Sequence, residues 1–158
     1  MIKKIVSGGQ TGVDRAALDV AIRQQIPHGG WCPRGRRAED GTIDSGYQLE
    51  ETTSYDYSQR TEYNVRDTDG TLILNIGMLE GGTAFTARIA ASTPRPCLVL
   101  DLDEVPDSAA VINWLREHDI QALNIAGPRE SKCPGIYTRA KTALNRILDA
   151  MRESKSPP

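Results

Sequence analysis

The chain has 158 residues, of which 39% are apolar and 25% charged, enough for one domain with a real core and too ordinary a balance for bulk disorder. Lys and Arg number 19 against 21 Asp and Glu, and the net charge of −2 argues against a protein built to coat nucleic acid. No apolar stretch approaches the ~20 residues of a membrane helix, and Lys3-Lys4 leads into Ile5-Val6 and then Ser7-Gly8-Gly9, so neither a membrane span nor a secretory leader is expected. The three cysteines include no CxxC pair, which fits a reducing cytoplasm better than a disulfide framework.

Ile2–Val6 reads as a strand, Ser7–Gly12 as a Gly-rich turn, and Val13 to about Gln25 as a helix with Val13, Ala17, Ala21 and Ile22 near one face. The following stretch shows no strand of its own. Residues 31–57 are turn-rich and polar, with a basic Arg34-Gly35-Arg36-Arg37 cluster, and a short helix is expected over Ser58–Arg66. Irregular segments of this length tend to be functional or mobile. Thr71–Ile76 is a near-continuous apolar run, as in a strand buried on both faces, and it leads through Glu80-Gly81-Gly82-Thr83 into a helix to Ala91. Pro96–Leu100 reads as a second buried strand that takes Cys97 into the core. Asp107 is a helix N-cap, with the helix running to about Glu117 and His118 suiting its end. Ala122–Ala126 is a strand ending at Gly127-Pro128. Pro134 suits the first turn of a last helix carrying Ile136, Ala140, Ala143, Leu144, Ile147, Leu148 and Met151 on one stripe. Alternating strands and helices imply an α/β layered fold with a mainly parallel sheet and helices on both faces, one domain over residues 1–152 and a frayed tail over 153–158.

In such sheets ligands sit at the carboxyl ends of the strands. Three strand-end loops carry unusual residues. Ser7-Gly8-Gly9-Gln10-Thr11-Gly12, with Asp14 and Arg15 just inside the helix, offers close backbone approach and helix N-terminal amides to an anion such as phosphate. The bland reading is a tight strand–helix turn capped by Asp14. The pattern is neither GxGxxG nor GxxxxGK[ST]. Gly81-Gly82-Thr83 opens a second helix, and adjacent parallel strands would bring both N-termini to one crevice. Gly127-Pro128-Arg129 opens a third loop, where Arg129 offers a bidentate bond to phosphate or carboxylate. Arg36 and Arg37 are further clamps for an anion, unless they belong to a solvated basic turn. Glu39, Glu62 and Asp67 are the candidate general acids or bases, with surface roles as the alternative. Cys32, Cys133, His28 and His118 do not assemble a metal set, and no catalytic metal is expected.

Several runs together resemble the molybdenum carrier family: Ser7–Asp19, Gly30–Gly41, Arg60–Asp67, Gly81–Thr83 and Ala126–Ser131. The likeness spans roughly residues 2–150. That family is similar to a circularly permuted branch of a Rossmann-like superfamily that binds nucleotides or nucleotide-derived ligands and includes the lysine-decarboxylase-like phosphoribohydrolases. The resemblance implies a three-layer Rossmann-like fold, a small phosphate-bearing ligand, molybdenum cofactor as cargo, and a homo-oligomer. It leaves two alternatives, a nucleoside-monophosphate N-glycosidic hydrolase and a ligand sensor acting on a partner protein. The hydrolase signature PGGxGTxxE is incomplete here, since Glu80-Gly81-Gly82-Thr83 lacks the leading Pro, the second Gly-Thr step and the following Glu.

Overall fold

A computed structural model describes residues 1–154. Its element order is β1 (Lys4–Val6), α1 (Val13–Arg23), β2 (His28–Gly29), β3 (Trp31–Cys32), β4 (Arg37–Ala38), β5 (Gly41–Thr42), β6 (Glu50–Glu51), α2 (Tyr57–Arg66), β7 (Gly70–Asn75), α3 (Gly81–Ala91), β8 (Cys97–Asp101), α4 (Ser108–Glu117), β9 (Ala122–Ala126) and α5 (Ile136–Glu153). Five strands form a wholly parallel sheet in the order β2-β1-β9-β7-β8.

The main core lies on one face of this sheet. Leu72 and Leu74 of β7, with Leu123 and Ile125 of β9, pack against Val13, Ala17 and Val20 of α1, Val111 and Leu115 of α4, and Ile136, Ala140 and Leu144 of α5. Side chains alternate along a strand, so Thr71, Ile73 and Asn75 face the opposite layer, where α2 packs on α3. The result is the expected three-layer α/β arrangement.

Several details depart from the sequence-based expectations. The segment after α1 does form a strand, but β2 has two residues, too few to show a period. β8 is an edge strand and not a doubly buried one; Val99 is 45% exposed and Cys97 is exposed rather than in the core. An apolar run of strand formers does not reveal how many neighbours the strand will have. Pro134 precedes α5, whose N-cap is Gly135. Glu153 ends that helix and Ser154 caps it, while the rest of the expected tail, 155–158, lies outside the described residues.

The polar stretch is more ordered than its sequence suggests. β3 pairs with β6 and β4 with β5, around a small cluster of buried Cys32, Ala38 and Ile43 flanked by Tyr47 and Leu49. Arg36 organises it. Its guanidinium donates to the carbonyls of Ile43 (3.0 Å), Leu49 (3.3 Å), Asp44 (2.7 Å) and Tyr47 (2.8 Å). Irregular backbone must satisfy its carbonyls somewhere, and here one side chain does it. Asn64 ties the segment to α2, accepting from the Trp31 amide at 2.7 Å and donating to the Trp31 carbonyl at 3.0 Å.

Gly12 shows how tightly α1 is seated. Its φ is +79°, and a Cβ there would lie 2.3 Å from the Pro128 carbonyl oxygen, which itself accepts from the Val13 amide at 3.2 Å. Both the conformation and the contact exclude a side chain. Gly12→Ala is expected to lose about 2–3 kcal/mol of stability in urea unfolding, from strain plus displaced backbone.

Candidate ligand-binding site

From β1 the chain turns through α1 to β2, towards one edge of the sheet. From β7 it turns through α3 to β8, towards the other edge. The loops at the carboxyl ends therefore diverge, which is where open α/β sheets make a crevice. β1 and β7 are not adjacent as expected: β9 lies between them, so the loop after β9 occupies the middle of the crevice.

A cavity of about 510 Å³ opens there, within the range of small-molecule sites. Asn75, Ile76 and Ala126, at and beyond the ends of β7 and β9, line it together with Gln10 and Asp14. Gly81, Gly82, Thr83, Phe85 and Thr86 of α3 come in from one side, with Met78 and Glu80 preceding them. Asp56, Tyr57, Ser58, Arg60 and Thr61 come from the start of α2, and Gly127, Pro128, Arg129, Lys132 and Cys133 from the loop before α5.

The two helix N-termini of this cavity differ. α2 is capped: the Asp56 carboxylate accepts from the Ser58 amide at 3.3 Å. α3 has no side-chain cap. The Thr83 and Ala84 amides both reach back to the Glu80 carbonyl, at 3.1 Å each, and the Gly81 and Gly82 amides have no partner among the described residues. A Cβ at Gly81 or Gly82 would meet nothing within 4 Å, so these glycines face open space. Unsatisfied amides at a helix N-terminus carry partial positive charge and suit an anion.

Across from Asp14 stands Arg60, whose Nη1 donates to Asp14 Oδ2 at 2.9 Å; both side chains are largely buried. Burial pushes the Asp14 carboxyl above its ordinary value, while Arg60 and the Gln10 amide pull it back. Arg60 Nε is buried with no partner among the described residues. Gly8 admits this arginine, since a Cβ there would sit 1.8 Å from Nη1. The close backbone approach expected of that glycine is thus made by a guanidinium of the same chain.

Of the residues singled out in the sequence, Gln10, Asp14, Gly81, Gly82, Thr83, Gly127 and Arg129 line the cavity; Ser7, Gly8, Gly9, Thr11, Gly12, Arg15, Arg36 and Arg37 do not. The Ser7 hydroxyl donates to the Asp14 carbonyl at 2.8 Å, and Gly9 is covered by Leu49 and Ile43. Arg15 donates to the Gly9 carbonyl and to Asp40, and Arg37 to the Tyr55 carbonyl. The three acid candidates are also outside. Glu39 bonds Thr11 and Ser131, Glu62 is exposed, and Asp67 accepts from Arg66 and Trp31. The carboxylates that do line the cavity are Asp14, Asp56 and Glu80. Phe85 and Met78 were not legible as site residues, and Arg60 stood out only as the start of the Arg60–Asp67 run. For Arg60 a signal existed, since it lies four residues after an Asp that caps a helix preceding a buried strand. Among the described residues no cluster of three or more His, Cys, Asp or Glu could hold a metal ion, and no helix is long and apolar enough to cross a membrane.

The parallel sheet, its two helical layers and a ligand-sized crevice where the loops diverge define a three-layer Rossmann-like α/β protein. The chain belongs to the circularly permutated YpsA SLOG family, whose model matches residues 5–148. Its fold is similar to the crystal structure of a protein named "putative molybdenum carrier protein" from Syntrophus aciditrophicus SB, with 53% identity and a TM-score of 0.90, over 93% of this chain and 95% of that one. No curated protein matches it.

Proposed function

We propose that the protein binds and carries a small phosphate-bearing ligand of nucleotide or pterin type, with molybdenum cofactor as the first cargo to test. The observation that carries this reading is the uncapped N-terminus of α3, whose Gly81 and Gly82 amides open into a cavity also reached by Arg60, Arg129 and Lys132. Tyr57, Phe85, Ile76 and Met78 supply an aromatic and apolar part of the wall, suited to the ring system of such a ligand. The name of the Syntrophus protein supports molybdenum-related cargo. The test is native mass spectrometry after incubation with molybdenum cofactor, alongside AMP. A complex of one cofactor per chain that slows oxidation of the pterin is expected; no bound mass and no protection overturns the carrier reading.

Glu80 keeps the hydrolase alternative open, because it places a carboxylate in the cavity next to the glycine pair. A panel of nucleoside monophosphates assayed for free base separates the two: no release together with a raised melting temperature supports binding alone.

A further inference from the structure

Glu39 stands outside the cavity, in the β4–β5 turn, and yet holds its wall. Its carboxylate accepts from the Thr11 hydroxyl, from the Ser131 hydroxyl and from the Ser131 amide at 3.1 Å, and lies 3.4 Å from Arg129 Nε. Its own amide donates to Gln10 Oε1 at 2.9 Å, and Thr11 Oγ1 accepts from the Glu130 amide at 3.1 Å. One carboxylate thus joins the loop after β1 to the loop after β9.

The loop after β9 needs such a tie. Residues 127–132 form neither helix nor strand, and they present Arg129 and Lys132 to the cavity. At the far end Glu130 anchors the loop on α5, accepting from the Gly135 and Tyr137 amides at 2.5 and 3.0 Å. At the near end the tie is Glu39. Burial pushes the Glu39 carboxyl up, but Ser131, Thr11 and Arg129 outweigh it and hold it below the ordinary range. The side chain is therefore the charged acceptor these donors require.

We propose that Glu39 is a positioning residue of the ligand cavity, one that fixes Arg129 and Lys132 for an anion it does not itself touch. This rests on the reading of the cavity as an anion site. It assigns the acid a role other than proton transfer, and it connects the β4–β5 hairpin to the cavity wall.

The three cysteines make the test internal. Cys133 lines the cavity beside the loop, Cys97 is exposed, and Cys32 is buried in the small cluster that the hairpin covers. Iodoacetamide labelling with peptide mapping, and AMP titration, are carried out on the wild type, Glu39→Ala and Glu39→Gln. In Glu39→Ala, Cys133 is expected to label about tenfold faster while Cys97 is unchanged and Cys32 stays protected, and AMP affinity to fall about tenfold, the size of one lost charge-assisted contact. Glu39→Gln keeps an acceptor oxygen for Ser131 but not the charge that holds Arg129, and is expected to fall between the two, each value about threefold from wild type. Equal Cys133 rates in all three proteins overturn the proposal. Release of Cys32 together with Cys133 in Glu39→Ala also overturns it, because the carboxylate would then be holding the fold and not the loop. A wild type that binds no AMP while the labelling pattern holds overturns the anion reading and with it the ligand-positioning role, and leaves Glu39 as a tie of the loop.

Discussion

Arg60→Ala is expected to unfold with about 3–5 kcal/mol less stability than the wild type, a fall of roughly 10 °C in melting temperature for a domain of this size. The reason is the partner it leaves behind. Asp14 is 3% exposed, and once the guanidinium is gone its carboxylate keeps only the Gln10 amide and the weaker pull of Arg15. The loss should depend on pH, and its sign follows from burial. In the native protein desolvation already raises the Asp14 carboxyl above its ordinary value of 3.8, and Arg60 is what pulls it down. Without Arg60 the folded carboxyl rises further while the unfolded one stays ordinary. Between those two values the folded state holds a proton that the unfolded state has released, so stability falls as pH increases. The deficit of Arg60→Ala against wild type should therefore be smaller near about pH 5 than near about pH 8, read by thermal unfolding at both. Asp14→Asn combined with Arg60→Ala should recover most of the loss, since it removes the stranded charge and keeps an acceptor for the Gln10 amide. A deficit that is flat with pH would place the cost in the empty space over Gly8 instead.

That pair also shows what the sequence carries and what it hides. The runs from Val13 to Arg23, from Gly70 to Asn75 and from Ile136 to Glu153 announce themselves through period or unbroken apolarity, because each element buries a face of its own. Their order is enough to imply layers and a parallel sheet. The neighbours in that sheet are another matter. Nothing in Leu72–Leu74 or Leu123–Ile125 says that β9 will lie between β1 and β7, since strand pairing is settled by long-range contacts. The same limit applies to the first glycine loop. Gly8, Gly9 and Gly12 advertise close backbone approach, and each is indeed approached closely. The approaching groups, however, are Arg60, Leu49 with Ile43, and the Pro128 carbonyl, all distant in sequence. Glycine spacing records that something must fit and not whether it is ligand or protein. Gly81 and Gly82 differ because nothing among the described residues fills the space above them. The hairpin region was the least legible, because its order comes from one arginine serving four carbonyls and not from any repeating pattern.

Gly82→Asp should separate binding from folding. Gly82 is the second residue of α3, its φ lies outside the left-handed region, and an added Cβ meets nothing within 4 Å. The substitution replaces a poor helix former and places a carboxylate where the helix dipole favours one, so the protein should gain about 1 kcal/mol in urea unfolding. The same carboxylate would stand over the Gly81 and Gly82 amides and satisfy or screen them, occupying the place proposed for the anion of the ligand. Affinity for AMP or molybdenum cofactor is then expected to fall by about 100-fold or more, as like charges meet in a half-enclosed cavity. Gly82→Asn distinguishes charge from bulk, having nearly the same shape without the charge, and should cost about tenfold or less. Calorimetric titration beside unfolding reads both quantities on one preparation. A gain in stability with the loss of binding is the pattern that an open helix N-terminus built for an anion must produce. Unchanged affinity in Gly82→Asp would move the anion away from α3, towards Arg129 and Lys132 of the loop before α5.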